Sequence, residues 1–523
     1  MELTARQRWL TLIVLCVAEL LVSIDNTIVN VALPSLSRQL GASTSGLQWI
    51  VDAYTLVFAG LLLAAGHAGD RLGRRRVLVV GLVGFGAVSA VAASVDSLGQ
   101  LVAARAVMGA FAALIFPATL ATITNVFTQA RERAAAVGIW AGVAGIAVAV
   151  GPVSGGYLLE HFTWHSVFWV NVPIAVAAVV ATAIWVPESR NPNVGRLDVV
   201  GVLGSVAAIV TIVWTVIEGP RHGWTSPAGL TGAVAGVALL AGFIAWESRH
   251  PHPVVNVRLF ANRRFSAASG SIAIAFFGLF GFIFLVTQFF QAVKGYNTLN
   301  AGLRTLPFAI VIGLLSPVAM RLAYRLGSGV VVASGLALMG AGFGLAAMTG
   351  RDSAYFGRII IAMVLMAAGL ALISGPATDA IMGALPLHEA GAGSAVNDTT
   401  REIGGTLGVA VLGSVLASSY ARDVHHALAG APLPGAARSA VDSSVTAGVD
   451  AAAHLPDRAS ATAVADAVKD SFMSGFHTAS WVAAAACLVA AVVVVFVLPA
   501  RAQQPTPSPA HDDEHPVLET ARS

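Results

Sequence analysis

The sequence predicts an all-α integral membrane protein with fourteen transmembrane helices. Charged residues make up only 11% of the 523 residues and 56% are hydrophobic, whereas soluble domains are ~25% charged. The apolar residues form long runs, and ~20 apolar residues in a helix that rises ~1.5 Å per residue cross a ~30 Å hydrocarbon core. Arginines collect in alternate loops between the runs. These observations exclude a soluble globular enzyme.

The apolar runs define the predicted spans and their direction. The spans are 9–32, 46–65, 77–95, 98–124, 134–158, 167–186, 197–217, 228–246, 265–290, 302–323, 328–349, 356–382, 392–419 and 477–499. The loop after the second span holds four arginines within residues 71–76, whereas the loop after the first span holds only Arg38. Cytoplasmic loops carry the excess of positive residues. The N-terminus and, after an even number of spans, the C-terminus are therefore expected in the cytoplasm.

The two ends of the chain repeat each other. The Arg-Leu-Gly motif at 71–73 recurs at 325–327, and the Pro-Ala-Thr motif at 117–119 recurs at 376–378. We therefore expect two six-helix bundles related by a pseudo-twofold axis, with two extra helices between them. Parallel halves with a site between them are a transporter layout.

This repeat also predicts the domain organisation. The predicted units are a first bundle at 1–190, two linker helices at 191–262, a second bundle at 263–500, and a polar, Pro-rich, disordered cytoplasmic tail at 501–523. Within the second bundle, residues 421–475 are expected to form a long outside loop with a short surface helix at 459–472. The first apolar run is too long for the core of a signal peptide, so it is expected to remain as the first span.

Three charged residues are predicted at one level inside the membrane. Counting helical rise from the inner ends of their spans puts Asp25, Asp52 and Arg105 at ~24, ~22 and ~20 Å. An unpaired charge is expensive there, so Arg105 is expected to pair with a carboxylate. The acid left over can take either a proton or a cationic ligand, which is the basis of an exchange mechanism. A static structural pair and, for Asp52, a hydrated helix end are the competing interpretations.

The loop between the second and third spans has an ordered pattern of glycines, an acid and arginines. The residues of this predicted gating loop are Gly66, Asp70, Arg71, Gly73, Arg74 and Arg75. Glycines permit a tight turn and close backbone approach, and an acid at the start of a helix is favoured by the helix dipole. The alternative is a basic loop that only sets the topology.

The fifth span is rich in glycine at helical spacing. Its predicted antiporter motif is Gly151, Pro152, Gly155 and Gly156. The glycines allow close helix contact, and the proline kinks the span and frees backbone carbonyls. Gly138 and Gly142 form a second small-xxx-small pair. The alternative is general membrane packing.

Five stretches together resemble the fourteen-span drug:proton antiporter group of the major facilitator superfamily. They are 25–34, 66–76, 101–109, 151–156 and 394–405. The resemblance covers almost the whole chain and implies the major facilitator fold, with Asp25 and Arg105 in proton coupling and Asp70 gating the cytoplasmic side. Residues 49–54 resemble the quaternary-ammonium exporters of that group. The second copy of the basic loop has Tyr324 at the acid position, so any charge relay is one-sided.

The second half is expected to contribute Asp398 to the site. This acid lies ~6 residues inside the thirteenth span and is placed to face the central cavity; a pair with Arg401 is the competing interpretation. Seven phenylalanines of the ninth span are candidates for lining a cavity for lipophilic cations, although phenylalanine more often faces lipid. Glu19 lies on another face of the first span from Asp25, and no role is assigned to it.

The residues and the resemblance together predict a proton-coupled antiporter. It would export lipophilic, mainly cationic drugs or dyes across the bacterial inner membrane by alternating access, and so confer antibiotic resistance. A ~100 mV potential supplies ~2.3 kcal/mol per charge. A dedicated exporter of one endogenous metabolite, antibiotic or lipid stays open as the alternative, and a non-transporting membrane sensor has less support.

No enzyme chemistry is expected from the sequence. It has no nucleophile–base pair, no phosphate loop with its lysine and no metal-ligand spacing, and Cys16 and Cys487 both lie in apolar runs. We expect no metal and no cofactor, with the proton gradient as the energy source. The expected partners are small lipophilic or cationic substrates, protons and membrane lipids, without nucleic acid, and the expected state is a monomer.

Overall fold

The computed structural model describes residues 4–190, 197–251, 253–384 and 390–498, and this part of the chain contains helices and no strands. Fourteen helices in it are long and apolar enough to cross a membrane, as predicted. They are α1 (Ala5–Leu40), α2 (Thr44–Leu72), α3 (Arg74–Ala92), α4 (Leu98–Val126), α5 (Arg131–His161), α6 (Ser166–Trp185), α7 (Val199–His222), α8 (Pro227–Glu247), α9 (Arg263–Val293), α10 (Thr298–Leu326), α11 (Ser328–Ala346), α12 (Tyr355–Met382), α13 (Val396–Ala427) and α14 (Arg458–Val497).

The turns between the first three helices mark the two ends of the molecule. The outer end carries the turn from α1 to α2 at Gly41, and the inner end carries the turn from α2 to α3 at Gly73. Both turns need glycine, because φ is +63° at Gly41 and +110° at Gly73. The predicted orientation places the inner end in the cytoplasm.

Helix packing repeats between the two halves of the chain. In the first half, α2 and α3 pack on α4, α1 packs on α5, and α3 packs on α6. In the second half, α10 and α11 pack on α12, α9 packs on α13, and α11 packs on α14. The same order of contacts in both halves is the arrangement expected of two repeated six-helix bundles. The remaining pair, α7 and α8, pack on each other, and α7 also contacts α2 and α13.

The last helix is longer than the sequence predicts. The expected separate surface helix at 459–472 is wrong, because these residues form the first turns of α14, which is 40 residues long. Asp457 caps its start by accepting from the Ser460 amide at 2.8 Å. Buried Val464, Val468 and Phe472 then continue one apolar face into the membrane segment, so nothing interrupts the helix. The predicted tail at 501–523 lies outside the described residues.

An outer cap, residues 428–457, joins α13 to α14. It contains two short helices, Gly435–Ser443 and Val445–Ala453. The Tyr420 hydroxyl of α13 donates to the Val441 carbonyl at 2.6 Å, which holds the cap on its own half. The hydroxyls of Ser37 and Ser444 lie 2.7 Å apart, which ties the cap to α1 of the other half. The predicted outside loop is thus shorter than 421–475 and helical.

The two halves are fastened together toward the outer end. Along the seam between α2 and α13, the Gln48 amide donates to the carbonyls of Val409 and Ala410 at 3.0 and 2.9 Å. Further in, the hydroxyls of Thr55 and Thr406 lie 2.9 Å apart. The other hydrogen bonds that join described residues of the two halves lie outside the level of this threonine pair. The structure is therefore closed at the outer end.

Candidate functional site

Asp25 of α1 and Arg105 of α4 form a fully buried ion pair. The Arg105 Nη1 lies 2.5 Å from Asp25 Oδ2, and both side chains are 0% exposed. Arg105 Nε also donates to the Ile50 carbonyl at 3.1 Å, and its guanidinium lies 4.2 Å from the Tyr54 ring centroid. Asn171 of α6 donates to the second carboxylate oxygen of Asp25 at 2.8 Å. The pairing expected from the sequence is confirmed, while its role in proton coupling stays a prediction.

Residues around this pair give both of its members further contacts. If Asp25 gains a proton, Arg105 retains the Ile50 carbonyl and the Tyr54 ring as partners, so its charge is not left without any. Asn171 retains Asp25 and also donates to the Ser89 hydroxyl at 3.0 Å. Sequence reasoning gave no role to Asn171, although an amide within an apolar helix indicates a possible hydrogen bond to another helix.

Asp52 is buried but does not join the pair. Its side chain is 0% exposed, and neither of its oxygens has a hydrogen-bond partner among the residues described. It lies about one helical turn from Gln48 and Thr55, the residues that bond α13 across the seam. The interpretation as a hydrated helix end is therefore wrong. Of the three charged residues predicted at one depth, Asp25 and Arg105 are therefore bonded to each other, and Asp52 has no bonded partner among the described residues.

A second group of acids spans the two halves. Glu19 of α1 interacts electrostatically with Asp398 and Glu402 of α13, which are one turn apart on the same helix face. We call these three residues the acidic cluster. Glu19 is 0% exposed, and one carboxylate oxygen of Glu19 and one of Glu402 have no hydrogen-bond partner among the described residues. The unpartnered oxygens of such a group can be satisfied by a proton or by a cation.

Asp398 does not form a direct ion pair with Arg401 in the described part of the chain. Asp398 Oδ1 accepts from the Asn397 amide at 3.3 Å. Arg401 instead donates to the Thr378 hydroxyl at 3.1 Å and lies 5.3 Å from the Phe276 ring centroid. Arg401 still attracts Asp398 over a longer distance. Sequence reasoning missed Glu402, although its position four residues after Asp398 places both acids on one face.

The gating loop is fixed by an ion pair within it and by hydrogen bonds to α4 and to the segment after α6. Asp70 accepts from Arg74 at 2.9 and 3.0 Å. Arg74 Nη1 reaches the Ala121 carbonyl of α4 at 3.0 Å, and the Arg75 amide donates to Glu188, just after α6, at 3.2 Å. A loop that only sets topology needs none of these bonds. The gating role stays a prediction, and Glu188 is a partner that sequence reasoning missed.

The other residues of the loop differ in what they contact. A Cβ on Gly73 would lie 2.6 Å from Glu188 Oε1, so both its φ and its surroundings require glycine. A Cβ on Gly66 would meet Pro117 at 3.6 Å, an ordinary contact. Arg71 is exposed.

The antiporter motif of α5 packs on both halves. A Cβ on Gly155 would lie 2.7 Å from Ile28 Cγ1 of α1, and Gly151 is packed against Thr27 of the same helix. On the other side, a Cβ on Gly156 would lie 2.7 Å from the backbone of α10, and the Pro152 carbonyl is packed against α10 as well. The motif therefore forms part of the outer closure between halves.

The second glycine pair of α5 does not make the contact that the sequence predicts. A Cβ at Gly138 or at Gly142 would meet nothing within 4 Å, so this small-xxx-small pair is not packed against another helix. The four-residue spacing of two glycines identifies a helix face without side chains, but it does not show whether that face packs against another helix.

The phenylalanines of α9 are turned away from lipid. All seven are buried or half-buried, so the lipid-facing interpretation is wrong. Phe282 and Phe290, with Phe308 of α10 and Asn30 of α1, line a cavity of about 30 Å³ between the halves near the outer end. The other phenylalanines pack inside the second half; Phe280, for example, lies against Gly405.

Two repeated helix bundles, closed at one end and holding buried charges where they meet, define a polytopic membrane transporter of the alternating-access class. A family model described as Major Facilitator Superfamily matches residues 15–409. The chain belongs to the Major Facilitator Superfamily, and it is a multi-pass bacterial membrane protein.

Curated relatives extend over nearly the full length. The chain is 37% identical to the multidrug efflux pump LfrA of Mycolicibacterium smegmatis, covering 94% of this chain and 96% of LfrA. It is 35% identical to the methyl viologen resistance protein SmvA of Salmonella typhimurium, with coverage of 95% and 99%. It is 33% identical to the tetracenomycin C resistance and export protein of Streptomyces glaucescens, with coverage of 97% and 94%.

Solved structures show the same fold. A bacterial homologue of the human lysosomal transporter Spinster, in an inward-facing and unoccupied conformation, has a TM-score of 0.64 and covers 95% of this chain and 99% of its own. Its sequence identity to this chain is 17%, so the likeness concerns the fold alone.

Proposed function

We propose that this protein is a proton-coupled antiporter that exports lipophilic cationic drugs or dyes across the bacterial inner membrane. The observation that carries the proposal is the acidic cluster, in which Glu19 of one half and Asp398 and Glu402 of the other interact without a directly bonded cation. The names of the relatives, which include a multidrug efflux pump and a methyl viologen resistance protein, support the substrate class.

In the proposed cycle, a cation and a proton compete for the acidic cluster. A cation that enters from the inner end binds Glu19 and Glu402 and releases the proton held there. Opening of the outer end then lets a proton reach Asp25, which weakens its bond to Arg105 and resets the pair. Each proton that returns across a ~100 mV potential supplies ~2.3 kcal/mol, and a pH difference of one unit adds ~1.4 kcal/mol.

The same proposal assigns roles to the two ends. The contacts at Gln48 and Gly156 must part for the substrate to leave on the outer side. The gating loop, with Asp70 bonded to Arg74, is proposed to close the inner end during that step. Both termini are proposed to be cytoplasmic, because the arginine-rich loops lie at the inner end.

The remaining parts of the proposal concern partners. We propose that the protein is not an enzyme and uses no cofactor or metal besides the proton gradient. Its partners are small lipophilic or cationic substrates, protons and membrane lipids, without nucleic acid, and it works as a monomer. A dedicated exporter of one endogenous compound is the second candidate, supported by the relative from Streptomyces glaucescens that is named an export protein.

The test is transport of a fluorescent lipophilic cation in proteoliposomes under an imposed pH gradient. Glu402→Gln removes one negative charge of the cluster and is expected to raise KM for the cation at least about tenfold, with a smaller change for a neutral dye. Asp352→Asn, an acid at the outer surface that is 95% exposed, is the matched control. Transport that ignores the pH gradient would contradict the proposal. A panel in which only one compound is carried would favour the dedicated exporter.

A further inference from the structure

A large cavity lies beside the extra helices, away from the acidic cluster. It measures about 480 Å³ and is walled by α2, α7, α8 and α13, with the linker between α8 and α9 as its floor. Val396 and Ile403 of α13 face it. Asp398 and Glu402 lie on the opposite side of that helix by its 3.6-residue period. This cavity is therefore separate from the proposed substrate cluster.

The cavity extends from the inner end to about the middle of the membrane. Helical rise places its wall residues Leu63, Ser205 and Ile244 at ~14, ~9 and ~5 Å from the inner ends of α2, α7 and α8. The linker residues Val254, Val255 and Val257 close it at the level of the membrane surface. These depths correspond to the acyl-chain region of one leaflet.

The walls of the cavity are apolar and one side is open. Leu240, Ile244 and Phe260, which line it, are 38%, 47% and 42% exposed and so mark its mouth. Water is a poor occupant, because a bound water needs two to four polar partners. The hydroxyl of Thr399 also lines the cavity, and it is buried without a hydrogen-bond partner among the described residues.

The linker that forms the floor of the cavity is rich in positive charge. Arg249, Arg258 and Arg263 of the linker region are exposed. Glu247 is the single acid within residues 245–265 of the sequence, and it is 2% exposed and accepts from the Val255 amide at 2.8 Å. Basic residues beside a pocket between helices at the cytoplasmic surface attract anionic lipid head groups.

We propose that this cavity binds an anionic glycerophospholipid of the inner-end leaflet. One acyl chain fills the apolar cavity, and the phosphate lies at Arg258 and Arg263. The Thr399 hydroxyl is available to donate to an ester carbonyl of the lipid. The proposal does not depend on which compound the protein exports. Because the walls come from α2 of one half and α13 of the other, the bound lipid bridges both halves.

The test uses the full-length protein in lipid nanodiscs with photoreactive phospholipids. Phosphatidylglycerol with a diazirine at the end of one acyl chain is compared with phosphatidylcholine carrying the same group. Cross-links are expected mainly in peptides from α8, the linker and α13, and stronger with phosphatidylglycerol. Arg258→Gln should lower that preference about fivefold, whereas Arg325→Gln, an arginine at the inner end of α10, should not change it.

A cavity-filling variant gives an independent readout. Leu240→Trp at the mouth is expected to abolish cross-linking in α13, whereas Val237→Trp, which is 67% exposed on the same helix, should leave it unchanged. Equal labelling by both lipids, or even labelling along the exposed face of α8, would overturn the proposal. Displacement of the lipid by tetraphenylphosphonium at concentrations that saturate efflux would assign the cavity to substrate instead. Dye efflux is measured in parallel, so that failure of lipid binding and failure of transport are distinguished.

Discussion

Asp25 Oδ2 and Arg105 Nη1 are 2.5 Å apart, and neither side chain is accessible to water. They come from α1 and α4 of the same half, so the bond does not itself hold the two halves together. Each partner also has another contact, Asn171 for the acid and the Ile50 carbonyl for the base. A bond of this kind can respond to a proton without unlocking the fold.

Replacing the acid tests that response. Asp25→Asn preserves the size of the side chain but removes its charge and its capacity to take a proton. Dye efflux driven by a pH gradient is expected to fall to the background of empty vesicles, with membrane insertion unchanged. Asp96→Asn, an exposed acid before α4, is the control. Normal efflux from the Asp25 variant would remove this residue from the mechanism.

Replacing the base separates charge from geometry. Arg105→Ala leaves the Asp25 carboxylate buried and unpaired, which costs about 3–5 kcal/mol of folding stability. Arg105→Lys keeps the charge but not the planar fork that reaches both Asp25 and the Ile50 carbonyl. Thermal unfolding in detergent and efflux should rank the native protein first, the lysine variant second and the alanine variant last. Equal behaviour of the two variants would argue against a charge requirement.

The turn at the inner end should be sensitive to one methyl group. Gly73→Ala forces an alanine into φ +110° and against Glu188, with an expected loss of about 1–3 kcal/mol. Gly69→Ala in the same loop adds a Cβ that meets only Arg74 Cγ at 3.9 Å and should be well tolerated. Melting temperature and efflux of the two variants provide the comparison. Equal melting temperatures of the two variants would show that the turn accommodates a side chain at position 73 without loss of stability.

The outer closure should open when its glycine is enlarged. Gly156→Ala places a methyl group 2.7 Å from the backbone of Thr298 and Leu299. Because backbone atoms cannot rotate away as a side chain can, α5 and α10 must move apart to make space. A cost of about 1–3 kcal/mol to the closed state is expected. Spin labels on the outer loops after α5 and α9 should report a larger open population. Gly142→Ala, with open space around it, should leave the distances unchanged.

The start of α14 should depend on pH through Asp457. Hydrogen bonds from the Ser460 hydroxyl and amide lower the pKa of this carboxyl below its ordinary value of 3.8. The cap is therefore fully present above that ordinary value and is lost as the pH falls through the lowered pKa. Hydrogen exchange at residues 458–464 should be slow at pH 7 and faster in strong acid. In Asp457→Ala it should be fast at both pH values after correction for intrinsic rates; a pH dependence equal to that of the native protein would exclude the cap.

Features that depend on the membrane as a solvent were predictable from sequence. The fourteen spans follow from apolar length, and a bond from Arg105 to a carboxylate follows from the cost of leaving a charge unpaired in lipid. The choice of Asp25 over Asp52 came only from the structure. Hydropathy could not predict the true start of α14, because a helix continues past the membrane surface whenever its buried face continues. It therefore separated residues 459–472 from the helix to which they belong.

The sequence did not reveal which way each side chain faces around its helix axis, and therefore which neighbours it meets. Residue counting gave Asp52 a depth similar to that of Arg105, but it could not show that Asp52 lies without a bonded partner. It also gave Asp398 a depth without showing that Glu19 of the other half interacts with it electrostatically. Glu188 was missed for a related reason, since it contacts Arg75 only after the chain has passed through four helices.

The length of α14 has a practical consequence. Forty residues at ~1.5 Å each extend ~60 Å, about twice the hydrocarbon thickness of a bilayer. In the proposed orientation, several turns of this helix, together with the short helices packed on them, protrude as a rigid knob beyond the detergent micelle. An antibody fragment raised against the knob would mark the molecule for particle alignment in electron microscopy without covering its transport pathway from the cell interior.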